Sequence, residues 1–230
     1  PLFASVLLLE QRGLLTDTSS YARSIADNTG TTVSTNQTDA DFPSGKCVHI
    51  NAAHNVSGLI LGYGSELEIG TNDPFCLEAF VKLDTGALAG GTQVLYNTGF
   101  GFSGFLWFLQ ITTGRQFIRV NSSADIGSDD AYVDHVAEGA CTYICAQVYD
   151  DDSVWMWVGE VGNPTAAGSV CSGAFPRPVD AITDGPYIGY VGGSGGTNAY
   201  KYDQYRITKG VRIAQGTGSI PIPTALFPEF

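Results

Sequence analysis

The sequence predicts an all-β fold arranged as a two-sheet sandwich, and three observations support this prediction. Short apolar stretches with the two-residue alternation of a strand recur along the chain. Segments rich in Gly, Asn, Asp and Pro, which favour turns, separate these stretches. No stretch keeps a 3.6-residue apolar period over three helical turns. About twelve strands without an intervening linker are typical of two packed sheets.

The predicted strands are alternating or continuously apolar stretches bounded by turn residues. In chain order they are SVLLLE, KCVHIN, SGLILG, SELEIG, FCLEAFVKL, TQVLYN, GFLWFLQI, RQFIRVN, CTYICAQVY, SVWMWVGE, GPYIGYVG and KYDQYRITKG. Residues 16–45 are polar and rich in Thr, Ser and Asn, so we expect a long excursion there. No domain boundary is visible. We therefore expect residues 1–230 to form one domain with an extended C-terminal tail, about 214–230.

The clearest hairpin is CTYICAQVYDDDSVWMWVGE, with its turn at 150–153. In its first strand, the apolar Ile144, Ala146 and Val148 alternate with Tyr143, Cys145 and Gln147. Its second strand is apolar on both faces, as is GFLWFLQI, and such strands are covered on both faces. In a two-layer sandwich, the outer cover would be a loop, a ligand or a neighbouring subunit.

The last predicted strand, YDQYRITKG, is expected to close a sheet. A strict two-residue period gives it two faces. One face would carry Tyr202, Gln204, Arg206 and Thr208, and the other Asp203, Tyr205 and Ile207. We expect Asp203 to be a buried acid bonded to loop amides. Lys209 and Gly210 break the pattern, and a proline-rich tail follows.

The composition excludes several function classes. The net charge of -12 argues against nucleic-acid binding and against anionic membrane surfaces, both of which need basic patches. No apolar run reaches the ~20 residues of a membrane span. Charged residues make up 15% of the chain, below the roughly 25% usual for soluble domains. A surface so poor in charge is covered by small polar residues or by another subunit.

The cysteines and the N-terminal run are both expected to be structural. The chain has five cysteines, an odd number, so at least one thiol is free or pairs between chains. Cys141 and Cys145 would lie on one face of a strand about 13 Å apart, too far for a disulfide. The apolar run Ala4–Leu9 lacks the flanks of a secretory signal, so we expect a first strand there. Pro1 suits removal of an initiator methionine after cytosolic synthesis.

Four stretches carry a resemblance to a known family. They are SVLLLE, the block from FPSGKCVHINAA through ELEIGTNDPFCLEAFVKL, the hairpin CTYICAQVYDDDSVWMWVGE, and the end PYIGYVGGSGGTNAYKYDQYRITKGVRI. Together they resemble the concanavalin A-like, laminin G-type jelly-roll domains of many phage and bacterial surface proteins. The resemblance implies that the first and last strands lie side by side. Versions with the RITKG ending are common in tailed-phage virion proteins.

An enzyme is not the expected function. Glucanases on the fold that the chain resembles place three alternating acids on one strand, and the nearest pattern here is Glu66-Leu67-Glu68. It lacks the third acid, and we expect both glutamates to be solvated surface. The three histidines show no metal spacing, and no nucleophile elbow or phosphate loop is present. We expect no catalytic residue.

No cofactor is expected, and calcium is the one alternative. The oxygen-rich turn around Asp150 and Asp152 would be its site. A turn of three aspartates is more often a solvated tip.

Aromatic and apolar residues supply the remaining candidate sites. For carbohydrate binding they are Trp155, Trp157, Tyr190 and Tyr200. For contacts between subunits they are Phe100, Phe102, Ile220 and Ile222. Core or interface packing is the competing role for all these aromatic rings.

We therefore expect a non-enzymatic structural protein on the virion surface of a tailed bacteriophage. Capsid decoration is favoured over a tail appendage because the chain has no coiled-coil or repetitive fibre segment. The expected partners are other virion proteins and further copies of the chain, with a host-surface glycan as an additional ligand. The alternatives are a tail-fibre adhesin, a bacterial glycan-binding lectin, or a glycan-active enzyme on the same fold.

Overall fold

The computed structural model describes residues 4–11, 15–27, 33–51, 58–98, 104–110, 112–121, 125–127, 135–180, 182, 186–189 and 199–227. Within these ranges nearly all of the regular secondary structure is β-strand. The strands form two antiparallel sheets that pack face to face. The predicted all-β, two-sheet sandwich is confirmed.

The strands are numbered in chain order. They are β1 (Ala4–Gln11), β2 (Leu15–Asp17), β3 (Ile25–Asp27), β4 (Val33–Thr38), β5 (Lys46–Asn51), β6 (Leu59–Leu61), β7 (Phe75–Leu83), β8 (Gln93–Asn97), β9 (Phe105–Leu109), β10 (Gln116–Val120), β11 (Ile126–Gly127), β12 (Cys141–Val148), β13 (Val154–Glu160), β14 (Thr165–Val170), β15 (Tyr187–Ile188), β16 (Ala199–Lys209) and β17 (Ser219–Pro221). One short helix, α1, spans Ala87–Gly90. Among the described residues, no helix has the length and apolar character needed to cross a membrane.

The larger sheet runs β17-β14-β13-β12-β7-β16-β1-β2, with β5 also paired to β16 and β4 to β5. The smaller sheet runs β11-β10-β9-β8-β15-β6-β3. β16 lies beside β1, with Arg206 opposite Leu8, as the resemblance implied. The predicted hairpin is also confirmed, because β12 pairs with β13 from Val148 opposite Val154.

Three local predictions were wrong. SELEIG contains a 3-10 turn at Ser65–Leu67 instead of a strand. The polar stretch 16–45 holds β3 and β4 and most of β2. β14 begins inside GNPTAAG, one of the Gly-, Asn- and Pro-containing segments between predicted strands that we expected to form turns. β2 and β3 are edge strands of three residues each, too short to show an apolar alternation in the sequence.

The main core lies between the two sheets. β12 and β13 contribute alternate residues to it, among them Ile144, Ala146, Val148, Val154, Met156 and Val158. From the smaller sheet, Phe105, Trp107 and Leu109 of β9 pack against them. The strict alternation along each strand therefore supplies the inner faces of both layers.

The outer face of the larger sheet carries a second apolar cluster. Sheet residues such as Phe80, Tyr143 and Trp157 pack there against Ile220, Ile222 and Phe227 of the tail. The tail is thus the outer cover that the second strand of the hairpin required. The outer face of GFLWFLQI is buried in a separate cluster of Val94, Leu106, Phe108 and Phe117. The expectation that Ile220 and Ile222 contact another subunit is corrected, because both are buried within their own chain.

A β-bulge in β16 overturns the predicted faces of this strand. The backbone of Gln204 has a φ of 51°, and the pairing with β7 shifts register between Asp203 and Arg206. At the bulge, two residues of β16 lie opposite one residue of β7, which shifts the alternation of β16 by one position. Tyr202 and Tyr205 therefore both face the core between the sheets. Asp203 and Arg206 bond to groups on the outer side of the larger sheet.

All five cysteines are buried free thiols, as expected of core residues. Burial raises the pKa of Cys47 to about 11 and that of Cys171 to about 12, so both stay protonated. Cys141 and Cys145 lie together in β12. The closest pair of thiols joins two strands instead, with 3.5 Å between the Sγ atoms of Cys76 and Cys145.

Candidate functional site

A cleft of about 470 Å³ opens at the C-terminal end of β16. Its walls come from three separated segments: the loop between β2 and β3, the loop between β6 and β7, and the end of β16. Six of its lining residues define its chemistry: Tyr21, Ser65, Glu66, Glu68, Asp73 and Lys209. We call it the acidic cleft.

Two glycines let the loop between β6 and β7 fold back over its own carboxylates. A Cβ on Gly64 would lie 2.0 Å from Glu66 Oε1. A Cβ on Gly70 would lie 2.7 Å from Asp73 Oδ2. A side chain at either position would displace the neighbouring carboxylate, and glycine leaves room for it. Leu67 is buried in the core and anchors the loop between the two glutamates.

Two tyrosines present rings at the acidic cleft. Tyr21 lines it and is 46% exposed, and Tyr63 is 57% exposed beside it. The Tyr63 hydroxyl donates a 2.5 Å hydrogen bond to Glu68 Oε1, and this bond raises the pKa of the phenol. One face of the Tyr21 ring carries the Arg23 guanidinium, 4.7 Å from the ring centroid.

Arg23 joins the acidic cleft to the body of the larger sheet. Its guanidinium bonds Glu66 at the cleft and Asp17 of β2, the latter at 3.1 Å. Asp17 Oδ1 also accepts the backbone N–H of Leu8 at 3.1 Å and that of Ser19 at 3.0 Å. This buried carboxylate therefore holds β1, the loop after β2 and the Arg23 side chain together. Glu66 is positioned by a chain of charge-assisted bonds.

Lys209 closes the opposite wall. Its ammonium donates to the backbone carbonyl of Glu68 and to Asp73 Oδ2, the latter at 3.3 Å. Asp73 Oδ2 also accepts the backbone N–H of Gly70 at 3.2 Å. The last residue of β16 thus ties the cleft loop to the sheet.

Arg177 fixes the same loop from outside the cleft. Its guanidinium donates to the carbonyl oxygens of Gly70 and Asp73, the latter at 2.8 Å. Its Nε donates to Asp152 Oδ1 at 2.6 Å. The planar guanidinium of Arg177, a fork of N–H donors, therefore connects the cleft loop to the β12–β13 turn.

Three carboxylates of the acidic cleft each keep one oxygen outside these bonds. Among the described residues, no hydrogen bond reaches Glu66 Oε2, Glu68 Oε2 or Asp73 Oδ1. Such acceptors, together with exposed aromatic rings, are the groups by which a concave site orients a polar ligand.

A second group of charges lies under the tail, and we call it the buried cluster. Glu78 Oε2 accepts from Arg206 Nη2 at 2.7 Å and from Arg212 Nε at 3.0 Å. Glu78 Oε1 accepts the Tyr143 hydroxyl at 2.6 Å, and burial raises the pKa of Tyr143. Burial alone would lower the pKa of Arg212, but Glu78 outweighs that effect and raises it. The Arg206 guanidinium stacks on Phe227 of the tail at 4.2 Å.

The carbohydrate candidates from the sequence do not lie together in this cleft. Trp157 is fully buried, and its Nε1 donates to the carbonyl of Thr217. Tyr200 is 1% exposed, and its hydroxyl donates to the carbonyl of Val94. Neither ring is available for stacking in this structure. Trp155 is partly exposed beside Trp157, with 5.8 Å between the ring centroids. Tyr190 lies outside the described residues.

The remaining candidates also have definite places. Asp152 is engaged by Arg177, and Asp150 is exposed in the β12–β13 turn. Within the described ranges, no group of three or more His, Cys, Asp or Glu side chains could hold a metal ion. Phe100 and Phe102 lie outside the described residues, so a subunit contact there stays a prediction.

The sequence had indicated only part of the acidic cleft. Glu66 and Glu68 were identified as the nearest pair of acids, but were expected to be solvated surface. Tyr21, Tyr63 and Lys209 were not identified. The one local signal is Gly62-Tyr63-Gly64, in which two small residues flank an exposed ring.

No protein-family model matches the chain, and no curated protein matches it in sequence. Solved structures do match. The binding domain of botulinum neurotoxin serotype D aligns with 89% of this chain and 48% of its own, at a TM-score of 0.57 and 9% identity. The receptor binding domain of botulinum neurotoxin type G aligns over 89% of this chain and 47% of its own, with a TM-score of 0.54 and 13% sequence identity. The binding domain of botulinum neurotoxin DC in complex with SialylT aligns over 89% of this chain and 47% of its own, with a TM-score of 0.57 and 11% sequence identity. The chain thus spans about half the length of these structures, and it shares their fold.

Proposed function

We propose that this chain is a non-catalytic carbohydrate-binding protein displayed on the virion surface of a tailed phage. The acidic cleft is its sugar site. The observation that carries the proposal is a 470 Å³ cleft lined by the exposed Tyr21 ring, three carboxylates and one ammonium, with the exposed Tyr63 bonded to one of those carboxylates.

The chemistry of a sugar matches these groups. A pyranose offers apolar C–H faces to an aromatic ring and a belt of hydroxyls to acceptors and donors. Tyr21 supplies a ring in the cleft lining, and Tyr63 supplies a second exposed ring beside it. Glu66, Glu68 and Asp73 supply acceptors, and Lys209 supplies a donor.

The structural neighbours show that binding domains are built on this fold. Each of those reported above is named as a binding or receptor-binding domain, and one was solved with SialylT. A further solved structure, of botulinum neurotoxin type C, is described by the dependence of that toxin's cell entry on interaction with two ganglioside molecules. Identity of 8–13% limits this support to the fold, so the residues of the cleft carry the proposal.

The bonding of the two glutamates favours binding over hydrolysis. Glycoside hydrolysis needs a carboxylic acid and a second carboxylate flanking the scissile bond. Glu66 is committed to Arg23, and Glu68 accepts the Tyr63 hydroxyl. Each is used to build the cleft wall.

Display on a virion rests on the sequence resemblance of the RITKG ending. Capsid decoration remains the favoured location, with a tail appendage as the alternative. The test is rebinding of the purified chain to stripped particles, with its mass in solution measured alongside. A homo-oligomer, or a monomer that rebinds capsids, supports decoration. A monomer that rebinds neither capsid nor tail contradicts it.

A glycan array followed by calorimetry tests the sugar site. We expect Tyr21→Ala and Tyr63→Ala each to weaken binding at least tenfold, which is about 1.4 kcal/mol. Their melting temperatures should stay close to that of the parent, because both side chains are exposed. The matched control is Trp155→Ala, which removes a partly exposed ring outside the cleft. A loss in Trp155→Ala alone would move the site to the tryptophan pair, and an empty array would overturn the proposal.

A further inference from the structure

We infer that the acidic cleft selects a sugar carrying a protonated amine, a hexosamine unit, and disfavours anionic sugars. This inference rests on the proposed function and concerns the ligand class of the same cleft. It follows from the charges that line the cleft, from the carboxylate oxygens left open there, and from the bonds that Lys209 and Arg23 already make.

The lining of the cleft is negative. Glu66, Glu68 and Asp73 face it, against the single ammonium of Lys209. Arg23 behind the wall is shared between Glu66 and the buried Asp17, so its charge is divided between two carboxylates. The chain as a whole carries a net charge of -12, which strengthens the negative potential. A cationic ligand is therefore attracted before it makes contact.

The open hydrogen-bonding groups are acceptors. Glu66 Oε2, Glu68 Oε2 and Asp73 Oδ1 receive no hydrogen bond from the described residues. An ammonium group brings three donors and a positive charge, whereas a hydroxyl brings one donor. Bonds between a charged donor and a charged acceptor are roughly twice as strong as neutral ones. An amine on the sugar ring would thus use this wall better than a hydroxyl or an acetamide.

The cations near the cleft are already committed. Lys209 donates to the Glu68 carbonyl and to Asp73, and the Arg23 side chain is only 4% exposed. A sugar carboxylate, such as that of a sialic acid, would meet three carboxylates and compete with Asp73 for Lys209. Like charges brought together in this way give specificity against the wrong ligand.

The aromatic rim favours the same ligand. Tyr63 is 57% exposed, and its hydroxyl is held by Glu68, which fixes the ring beside a carboxylate. An ammonium over such a ring gains a cation–π contact, as Arg23 does over Tyr21 at 4.7 Å. The ring and the carboxylate together form a subsite for a cation.

Calorimetry with three probes tests the inference. They are a β-1,4-linked glucosamine tetramer, its fully N-acetylated counterpart, and a sialylated trisaccharide, measured at a pH that protonates the amine. We expect the amine form to bind at least tenfold tighter than the acetylated form, and the sialylated probe to bind most weakly. Raising the salt concentration from 50 to 500 mM should weaken only the amine form.

Variants assign the effect to the cleft. Glu68→Gln should reduce the preference for the amine several-fold, because one charge is lost while the shape stays. Asp73→Asn serves as a second variant if Glu68→Gln lowers the melting temperature. Glu160→Gln, exposed at the end of β13, removes the same charge elsewhere and should leave the preference unchanged.

Equal affinity for the amine and acetylated tetramers, or tightest binding of the sialylated probe, would overturn the inference and leave the sugar site standing. Binding of none of the three, together with an empty glycan array, would overturn the proposed function itself.

Discussion

The acidic cleft and the buried cluster are built from the same kinds of residue, yet they differ in burial and in how many of their carboxylate oxygens are bonded. Each combines glutamate, a cation and tyrosine. In the buried cluster both oxygens of Glu78 are bonded, and Phe227 of the tail covers the guanidinium of Arg206. In the acidic cleft, Glu68 has one oxygen bonded to Tyr63, and its other oxygen receives no bond from the described residues.

The comparison separates structural from functional charge. A buried ion pair contributes to the fold only when its bonds are internally complete, since desolvation otherwise exceeds the Coulombic gain. Both oxygens of Glu78 meet that condition, and the buried cluster fastens the tail to the sheet through the contact between Arg206 and Phe227. Charges that keep contact with solvent contribute less to stability, and in the acidic cleft Glu68 and Asp73 each keep an oxygen that receives no bond from the described residues. Variants in the two regions should therefore affect different measurements.

The largest expected effect comes from Glu78→Gln. The substitution keeps the shape of the side chain but removes the carboxylate that Arg206, Arg212 and Tyr143 all bond. We expect a loss of about 3–5 kcal/mol in the free energy of unfolding, measured by urea denaturation. Glu160→Gln, an exposed glutamate, should change it by less than about 0.5 kcal/mol. Equal stability of both variants would show that the buried cluster does not fasten the fold.

Phe227→Ala should have the next largest effect. The ring is 1% exposed, and it packs against Arg206 and lies 5.6 Å from the Phe80 ring between centroids. Its loss should cost about 3 kcal/mol, because the tail then covers the sheet with a cavity beneath it. Leu226→Ala is the matched control, since the neighbouring leucine is 36% exposed. A change in glycan affinity in Phe227→Ala would contradict the separation of the two regions.

Arg177→Lys tests how far the cleft depends on its supports. Lysine keeps the charge but loses the planar fork that bonds the carbonyls of Gly70 and Asp73. We expect glycan affinity to fall about tenfold, or 1.4 kcal/mol, with a smaller loss of stability. Arg119→Lys, which alters an exposed bidentate pair with Asp125, should leave affinity unchanged. Unchanged affinity in Arg177→Lys would show that the loop holds its shape without this fork.

The smallest effect is a pH dependence at Asp203. Burial raises the pKa of this carboxyl above its ordinary value, although the Ser44 N–H at 3.2 Å opposes the shift. The native state then binds a proton more tightly than the unfolded state. Stability therefore falls as pH rises from the unfolded pKa through the raised native pKa, and it stays lower above that window. Asp203→Asn should melt higher than the parent at pH 7 and equally in acid.

Asp39 on the same face provides the opposite control. Burial alone would raise its pKa, but bonds from Lys201 and Lys82 outweigh burial and lower it. A lowered native pKa contributes stability above the unfolded pKa, and this contribution is lost as pH falls through the native value. Asp39→Asn should therefore melt lower than the parent at pH 7. The same direction of change in both variants would contradict these assignments.

The sequence predicted the strands that repeat a local pattern. KCVHIN and FCLEAFVKL match β5 and β7 residue for residue, because apolar alternation and flanking turns are local properties. The β12–β13 hairpin was predicted for the same reason. Polar edge strands such as β2 were not predicted, because they lack that pattern.

The acidic cleft could be predicted only in fragments. Its two glutamates stood out as a pair, but Lys209 bonds Asp73 across 136 residues of sequence. The local sequence around either residue does not indicate that the two side chains come into contact. The same holds for the Arg177 fork, which reaches Gly70 across 107 residues.

The sequence by itself determined the class of fold, the main strands, and the need for a cover on the outer face of the larger sheet. Tertiary structure alone decided that the tail is the cover, and that the bulge at Gln204 turns Tyr205 inward. It also decided that three distant segments enclose an acidic cleft. The physical reason is that periodicity is a property of neighbouring residues. Register, bulges and charge pairing depend on which strands meet when the two sheets close.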